Sequence, residues 1–162
     1  METRRLFDQG SAAYASARPR YPDALYRHLA GLCGQRRRAW DCATGTGQAA
    51  LGLAQYFGEV LASDTSTQQI EHAVVHPGIR YSVQDAEATD YPDAAFDLVC
   101  VAQAWHWFDE AAAAEEIARI LRPAGRLVIL INQLDVRVDW VLRLSRIMHA
   151  GDVYRPAYVP AP

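Results

Sequence analysis

A glycine-rich segment, Asp-Cys-Ala-Thr-Gly-Thr-Gly at residues 41–47, carries the strongest chemical signal in the sequence. It lies between a short apolar segment typical of a strand and a segment typical of a helix. Gly45 and Gly47 allow positive φ angles and carry no side chain, so a ligand can approach the backbone closely. The first N–H groups of the following helix favour a carboxylate or a phosphate. The segment therefore predicts a ligand-binding loop, although a tight turn without any ligand has the same composition.

An acidic residue at the end of the next predicted strand adds to this signal. Asp64 follows Gly47 by 17 residues, a spacing at which a carboxylate accepts hydrogen bonds from ribose hydroxyls. The alternative is that Asp64 caps the following helix, a role that Ser66 can also fill. Loop and carboxylate together fit two cofactors, NAD and S-adenosylmethionine, and residues 45–50 match the relaxed dinucleotide fingerprint.

Three further features favour S-adenosylmethionine over NAD. Asp41 places an acid at the end of the first predicted strand, where dinucleotide-binding folds usually continue apolar into the glycines. The loop begins about 40 residues into the chain, behind a helical segment. Asp85 and Glu87 follow the third predicted strand, where they can meet an adenine.

The segments that must position these residues alternate between strand-like and helix-like patterns. This alternation predicts an α/β fold, with a parallel sheet and helices on both of its faces. The predicted strands are residues 39–42, 60–63, 79–83, 96–102 and 127–131. The predicted helices are residues 23–34, 48–57, 67–75, 109–121 and 136–149. Residues 123–125, Pro-Ala-Gly, are expected to separate the fourth helix from the fifth strand, which is expected to be buried.

Seven stretches, in this order, resemble the class I S-adenosylmethionine-dependent methyltransferases. The resemblance is to the small-molecule branch that includes methyltransferase type 11, ubiquinone-biosynthesis-like and trans-aconitate-methyltransferase-like enzymes. The stretches are FDQGSAAYASARPRYP at 7–22, DCATGTG at 41–47, SDTS at 63–66, QDAE at 84–87, FDLV at 96–99, AQAWHWFD at 102–109 and LRPAGRL at 121–127. Such a resemblance over essentially the whole chain implies a Rossmann-like, doubly wound parallel sheet with strand order 3-2-1-4-5. It also implies one domain with a helical cap (1–37), a core (38–134) and a substrate region (135–162).

The resemblance assigns cofactor roles to the loop and to the acids that end the strands. Gly45 and Gly47 would pass under the methionine portion and the ribose, with Ala43 standing where the family pattern usually has glycine. Asp41 would orient the loop or meet the amino group through water. Asp64 would bind the ribose hydroxyls.

The remaining cofactor contacts implied by the resemblance follow the second, third and fourth strands. Thr65 belongs to the cofactor-binding set next to Asp64. Asp85 would accept a hydrogen bond from the adenine amino group, beside the N–H of Ala86. Gln103 and Ala104 would offer backbone carbonyls to the methionine ammonium.

An aromatic segment after the fourth strand lies at the edge where open α/β sheets bind ligands. Trp105 and Trp107 would form a wall of the substrate site, and His106 would accept a proton from the nucleophile. The alternative is that the aromatic residues are core and His106 is a polar cap. Tyr14 and Arg18, from the N-terminal segment, would close over the pocket, and Arg18 would pair with a carboxylate.

Composition argues against several other classes of protein. The net charge is -3, all 16 basic residues are arginine, and Arg36-Arg37-Arg38 forms the only basic cluster, so a nucleic-acid partner is not expected. The scattered histidines do not predict a metal site. No apolar stretch is long enough to span a bilayer and no signal peptide is visible, which predicts a cytoplasmic protein without a membrane partner. Three widely spaced cysteines are expected to be buried free thiols.

The family to which the chain is similar has seven strands, whereas five are predicted here. We therefore expect the cofactor site to be present and the substrate region to be truncated. The strand at 127–131 would form an apolar edge, which a homodimer or the 136–149 helix could cover. The expected substrate is a small organic acid or ring compound, methylated on a carboxylate or hydroxyl. A non-catalytic S-adenosylmethionine-binding protein and an NAD(P)-dependent oxidoreductase stay open as alternatives.

Overall fold

A five-stranded sheet forms the centre of the computed structural model, which describes residues 21–132. Its strands are β1 (Arg38–Cys42), β2 (Glu59–Asp64), β3 (Ile79–Val83), β4 (Phe96–Ala102) and β5 (Leu121–Leu130). All neighbouring pairs are parallel, in the order β3-β2-β1-β4-β5. The predicted α/β class and the strand order 3-2-1-4-5 are therefore confirmed.

Helices lie on both faces of this sheet. They are α1 (Asp23–Gly31), α2 (Gln48–Leu53), α3 (Thr67–Glu71) and α4 (Glu110–Ile120), with a 3₁₀ turn at Trp105–Trp107. Leu29 of α1 and Leu53 of α2 pack with one face of the sheet, whereas Ile117 and Ile120 of α4 pack with the other. Within the described residues, no helix is long and apolar enough to cross a lipid bilayer.

Strand β4, which lies between β1 and β5, shows why a mainly apolar run is needed here. Successive side chains of a strand point to opposite faces, so a strand covered on both sides is apolar at most of its positions. Leu98 and Cys100 pack on the side of α1 and α2, while Val99 and Val101 pack on the side of α4. All four are fully buried, which confirms the predicted burial of β4. The three cysteines are also buried and free, as predicted.

Three predicted helices are at least three residues shorter in the structure. Helix α1 ends at Gly31 rather than at residue 34, and the Cys33 N–H donates to the Ala30 carbonyl only three residues back, which tightens the last turn. Helix α2 ends at Leu53 rather than at residue 57, because the Tyr56 N–H donates to a carbonyl only three residues back, which tightens the last turn. Helix α3 ends at Glu71 rather than at residue 75. The Val74 N–H leaves the helix and donates to the Thr46 carbonyl of the glycine loop, 3.2 Å away.

Strand β5 also differs from its prediction. It begins at Leu121, directly after α4, and not after the Pro-Ala-Gly segment. Its pairing with β4 moves from Phe96↔Leu121 to Leu98↔Arg126, so the residues between them bulge out of the ladder. The expectation of a buried strand is wrong in part, because Leu127 is 37% exposed. The homodimer expected through this edge stays a prediction.

One buried carboxylate joins three strands near their amino ends. Asp97 Oδ2 accepts hydrogen bonds from the backbone N–H groups of Arg37 (2.7 Å) and Arg38 (3.0 Å), and Oδ1 accepts from the Arg122 guanidinium (2.8 Å). Burial opposes the ionisation of Asp97, but these donors outweigh it and lower its pKa below the usual value. We call this arrangement the Asp97 clamp. It ties the start of β1 and the bulge of β5 to β4.

A second carboxylate holds the loop between β3 and β4 against α4. Glu116 accepts from the Thr89 N–H (2.9 Å) and hydroxyl (2.5 Å), and from the Arg119 guanidinium at 2.6 Å. Arg119 also reaches Asp93 at 2.6 Å. The hydrogen bond from Arg119 is the main reason that the pKa of Glu116 falls to about 2, in spite of its burial.

We expect the substitution Glu116→Gln to destabilise the protein at neutral pH, by roughly 1–3 kcal/mol. The pKa of Glu116 in the fold, about 2, lies below its ordinary value of 4.5. Ionised Glu116 therefore stabilises the fold above about pH 4.5, and this contribution is lost as the pH falls towards 2. Urea unfolding from pH 3 to pH 7 should show that the difference in the free energy of unfolding between wild type and variant becomes smaller at low pH. Glu115→Gln, at an exposed neighbour, is the control; a gap that does not depend on pH would contradict the interpretation.

Candidate functional site

The glycine loop, residues 43–47, connects β1 to α2. The hydrogen bonds that hold its backbone include those from the Thr44 N–H to the Ser63 carbonyl (2.9 Å) and from the Gly47 N–H to the Thr44 carbonyl (3.1 Å). The Thr44 hydroxyl donates to Asp41 Oδ2 at 2.5 Å. Asp41 is completely buried at the end of β1, so its carboxylate supports the loop from below, which is compatible with the predicted orienting role.

The two glycines of the loop have different reasons to be glycine. Both have positive φ angles, 59° at Gly45 and 87° at Gly47. A Cβ atom added at Gly45 would meet only Gln69 Oε1, at 3.8 Å, so the space above Gly45 is open. A Cβ added at Gly47 would lie 2.1 Å from the hydroxyl oxygen of Tyr81. Of the two positions, the structure therefore leaves room for a ligand above Gly45, while protein atoms fill the space at Gly47.

Tyr81 fixes the loop after α3 against the glycine loop. Its hydroxyl donates to the Val74 carbonyl at 3.0 Å, and the Val74 N–H donates to the Thr46 carbonyl at 3.2 Å. Burial raises the pKa of Tyr81 to about 12, so its hydroxyl stays a donor at neutral pH. The sequence analysis missed Tyr81, because no local pattern pairs a residue of β3 with a glycine 34 positions earlier.

Asp64, at the end of β2, binds the backbone of the glycine loop. Its Oδ2 accepts from the Gly45 N–H and its Oδ1 from the Ser66 N–H, both at 2.9 Å. The Ser66 hydroxyl accepts from the Gln69 N–H and caps α3, so the capping role considered for Asp64 belongs to Ser66. A carboxylate has about four acceptor positions, and the half-buried Asp64 keeps capacity for hydroxyl donors of a ligand.

The segment after β3 places its predicted residues at the same edge. Asp85 and the neighbouring Thr65 are exposed, whereas Ala86 is buried against the face of the sheet that α4 covers. Glu87 Oε1 accepts from the Asp109 N–H at 3.1 Å. This contact links the segment after β3 to the start of α4, and sequence reasoning had given Glu87 no such role.

The residue after β4, Gln103, has an unusual backbone and three hydrogen bonds. Its φ is 60°, which is uncommon for a residue with a side chain. Its N–H donates to the Leu130 carbonyl at 2.8 Å, and its Nε2 donates to the same carbonyl at 3.2 Å and to the Tyr21 hydroxyl at 3.1 Å. Ala104, which follows, is buried.

The aromatic segment that follows divides between core and surface. Trp105 is half-buried and packs edge-to-face on Phe108, with ring centroids 5.9 Å apart. His106 is exposed and lies against Trp107, which is 53% exposed, with ring centroids 4.7 Å apart. No hydrogen bond orients the His106 ring in the part of the chain that the structure describes. Trp105 therefore fits a wall better than Trp107, and the base role of His106 stays a prediction.

Strand register brings the predicted cofactor residues together. Cys42 pairs with Ser63 in β2 and with Val101 in β4, so β1, β2 and β4 end side by side. The carboxyl edge of the sheet thus collects the glycine loop and the residues that follow β2, β3 and β4. Tyr14 and Arg18 lie outside the described residues, as does the helix predicted at 136–149. Across residues 21–132 no group of three histidine, cysteine, aspartate or glutamate side chains could hold a metal ion.

A family model described as a methyltransferase domain matches residues 40–129, more than half of the chain. The chain belongs to the methyltransferase domain family, type 11. This methyltransferase domain is 36% identical over 153 residues to an uncharacterized methyltransferase of Mycobacterium tuberculosis, covering 92% of this chain and 61% of that protein. It is 35% identical to demethylmenaquinone methyltransferase of Deinococcus radiodurans, over 76% of this chain and 61% of that one.

A solved structure supports the same family. A protein of Anaeromyxobacter dehalogenans described as a type II methyltransferase is 40% identical to this chain, with a TM-score of 0.74 over 86% of this chain and 60% of that one. The chain therefore spans about three fifths of the length of these relatives.

One position of the glycine loop holds alanine in a backbone conformation that suits glycine. Ala43 has a φ of 54°, where a Cβ atom is unfavourable by about 1–2 kcal/mol. Ala43→Gly relieves this strain, but glycine also loses more backbone entropy on folding, which offsets part of the gain. We therefore expect the variant to stabilise the fold by roughly 0.5–1 kcal/mol. Thermal unfolding should then shift upward by about 1–4 °C. Ala49→Gly, within helix α2, is the matched control and should lower stability; a loss at both positions would mean that the Ala43 conformation carries no strain.

Proposed function

We propose that this methyltransferase domain binds S-adenosylmethionine at the carboxyl edge of the sheet and transfers its methyl group to a small molecule. The observation that carries the proposal is the open space above Gly45 beside Asp64. Asp64 holds the Gly45 N–H at 2.9 Å and keeps acceptor capacity. A carboxylate fixed to the rim of an open backbone cradle suits a ligand that carries ribose hydroxyls.

The residues at this edge fit the parts of the cofactor. Asp64 and Thr65 would hold the ribose, and Asp85 would accept from the adenine amino group beside the buried Ala86. Gln103 and Ala104 would offer main-chain carbonyls to the methionine ammonium. Ala43 and Gly45 would form the floor, which Asp41 supports through Thr44, while Gly47 would close the loop against Tyr81.

Methyl transfer requires little acid–base catalysis by the protein. When bound, S-adenosylmethionine supplies a methyl group that is already activated by its sulfonium. The chain must align the acceptor with that methyl and exclude water, and the half-buried Trp105 would form one wall. A carboxylate acceptor is ionised at pH 7 and needs no base. A hydroxyl acceptor would use His106, whose exposed ring is open to a ligand.

For the methyl acceptor we propose a small organic acid or a ring compound. The similarity to demethylmenaquinone methyltransferase supports a ring compound among the candidates. Methyl transfer assayed across carboxylic acids, phenols and amines separates these classes. A bound cofactor without transfer to any of them would favour a cofactor-binding protein that does not turn over.

Calorimetric titration with S-adenosylhomocysteine and with NADH tests the cofactor. We expect binding of the first and none of the second, and NADH binding alone would overturn the proposal. Asp64→Ala should weaken S-adenosylhomocysteine binding by roughly 1–3 kcal/mol, because a hydrogen-bond acceptor is removed. Ser66→Ala, which removes the cap of α3 next to it, is the control for local structure. Equal affinities of wild type and Asp64→Ala would exclude the ribose role.

A further inference from the structure

The backbone of Gln103 has a conformation that its own sequence does not favour. A φ of 60° is unfavourable for a residue with a Cβ atom, and such a residue persists only where its surroundings hold it. Among residues 21–132 the other non-glycine residues of this kind are Ala43, Ala94 and Ala124. Gln103 alone among these four has a polar side chain that can hold its own main chain in place.

The Gln103 side chain binds two segments that lie next to the turn after β4, the end of β5 and the residues before α1. Gln103 Nε2 donates to the Leu130 carbonyl at 3.2 Å and to the Tyr21 hydroxyl at 3.1 Å. A side-chain amide has two N–H donors, so these two contacts use its full donor capacity. The Gln103 N–H donates to the same Leu130 carbonyl at 2.8 Å. Main chain and side chain are therefore fixed to one point on β5, and the side chain to one point just before α1.

The contact with Tyr21 continues towards the glycine loop. The Tyr21 ring packs edge-to-face on Tyr26, with centroids 6.5 Å apart. The Tyr26 ring fills the space beside Gly52, where an added Cβ would lie 2.1 Å from the ring. Gly52 belongs to α2, which begins at the end of the glycine loop. Through Tyr21 and Tyr26, the turn after β4 is thus connected to α2, the helix that follows the glycine loop.

We propose that Gln103 is a positioning residue, whose side chain holds its own backbone in the left-handed conformation that offers the main chain to the amino-acid part of the cofactor. This role deepens the proposed function and rests on it. The side chain itself needs no contact with the cofactor. It acts by raising the fraction of molecules in which the turn is ready to bind, and the apparent affinity follows that fraction.

The test compares alanine with glycine at this one position. Alanine at residue 103 lacks the holding side chain and keeps the Cβ atom, so it should populate the left-handed conformation less than glutamine does. We expect Gln103→Ala to weaken S-adenosylhomocysteine binding roughly tenfold, as measured by calorimetry. Glycine adopts the same φ freely, so Gln103→Gly should recover most of that loss. Gln55→Ala, at an exposed turn residue, is the matched control and should bind like the wild type.

Tyr21→Phe provides a second, milder variant if Gln103→Ala fails to fold. It removes one of the two acceptors of the Gln103 amide, so it should weaken binding in the wild-type background and change little in the Gln103→Gly background. If Gln103→Gly binds as weakly as Gln103→Ala, the side chain acts on the ligand directly and the positioning role is wrong. Full affinity in Gln103→Ala would also overturn it. Failure of the wild type to bind S-adenosylhomocysteine would overturn the proposed function itself, and this role with it.

Discussion

Replacing Gly47 by alanine is expected to destabilise the protein by about 3 kcal/mol or more, whereas Gly45→Ala should cost about 1–2 kcal/mol. Both substitutions force a Cβ atom into a left-handed backbone. At Gly47 the new atom also lies 2.1 Å from the Tyr81 hydroxyl oxygen and 3.0 Å from its Cζ, so the ring must move as well. Urea unfolding at pH 7 measures the difference directly.

The two variants should rank in the opposite order for ligand binding, with Gly45→Ala weakening the affinity more than Gly47→Ala. Gly45→Ala places a methyl group in the open space where we propose that the cofactor lies, so S-adenosylhomocysteine binding should be lost by more than tenfold in calorimetry. Tyr81→Phe supplies the control for the clash, because it removes the nearest atom and leaves Cζ at 3.0 Å. The double variant Gly47→Ala/Tyr81→Phe should regain part of the stability. Equal stabilities of the two alanine variants would show that Tyr81 does not restrict Gly47.

Asp97→Ala is expected to have the largest effect on stability, a loss of about 3–5 kcal/mol. It leaves the partly buried Arg122 guanidinium without its carboxylate and the N–H groups of Arg37 and Arg38 without their acceptor. Small domains are stable by only about 5–15 kcal/mol, so much of the variant should be unfolded at moderate urea concentrations. Asp93→Ala, which breaks an exposed pair with Arg119, is the control and should cost less than about 1 kcal/mol.

The Asp97 clamp also predicts a pH dependence with a definite sign. The pKa of Asp97 in the fold is lowered, although burial alone would raise it, because Arg122 and two backbone N–H groups stabilise the ionised form. Its stabilising contribution is therefore complete above the pKa of an unfolded aspartate and is lost as the pH falls below it. Asp97→Asn should remove this part of the acid dependence. If Asp97→Asn loses as much stability at low pH as the wild type does, the proposed role of the Asp97 clamp is contradicted.

The order of the strands could be predicted because it depends on patterns that are local and repeated. An apolar run such as residues 98–101 indicates a strand buried on both faces, and acids that end successive strands must meet at one edge of a parallel sheet. Asp41 and Asp64 were found in this way, and the structure places them beside the glycine loop. Ser66 was recognised as the alternative cap of α3, and it is the cap.

The contacts that shape the site could not be predicted, because each joins residues that are distant in sequence. Nothing near Gly47 indicates that Tyr81 will fill the space beside it, and nothing near Gln103 indicates Tyr21, 82 residues earlier. The early end of α3 has the same cause, since the Val74 N–H finds its acceptor in the glycine loop rather than in the helix. Tertiary hydrogen bonds of this kind override local helix preference without leaving a pattern in the sequence.

The Asp97 clamp has a consequence for the order of events while the chain is being synthesised. Its donors come from both directions, since Arg37 precedes Asp97 by 60 residues and Arg122 follows it by 25. A nascent chain that has reached only β4 would have to bury an anion that lacks one of its three donors, the guanidinium of Arg122, which is costly. Strand β4 is therefore expected to reach its final position only after the start of β5 has left the ribosome. A sheet that lacks β5 is therefore unfavourable in free energy. The core is expected to form late and in one cooperative step.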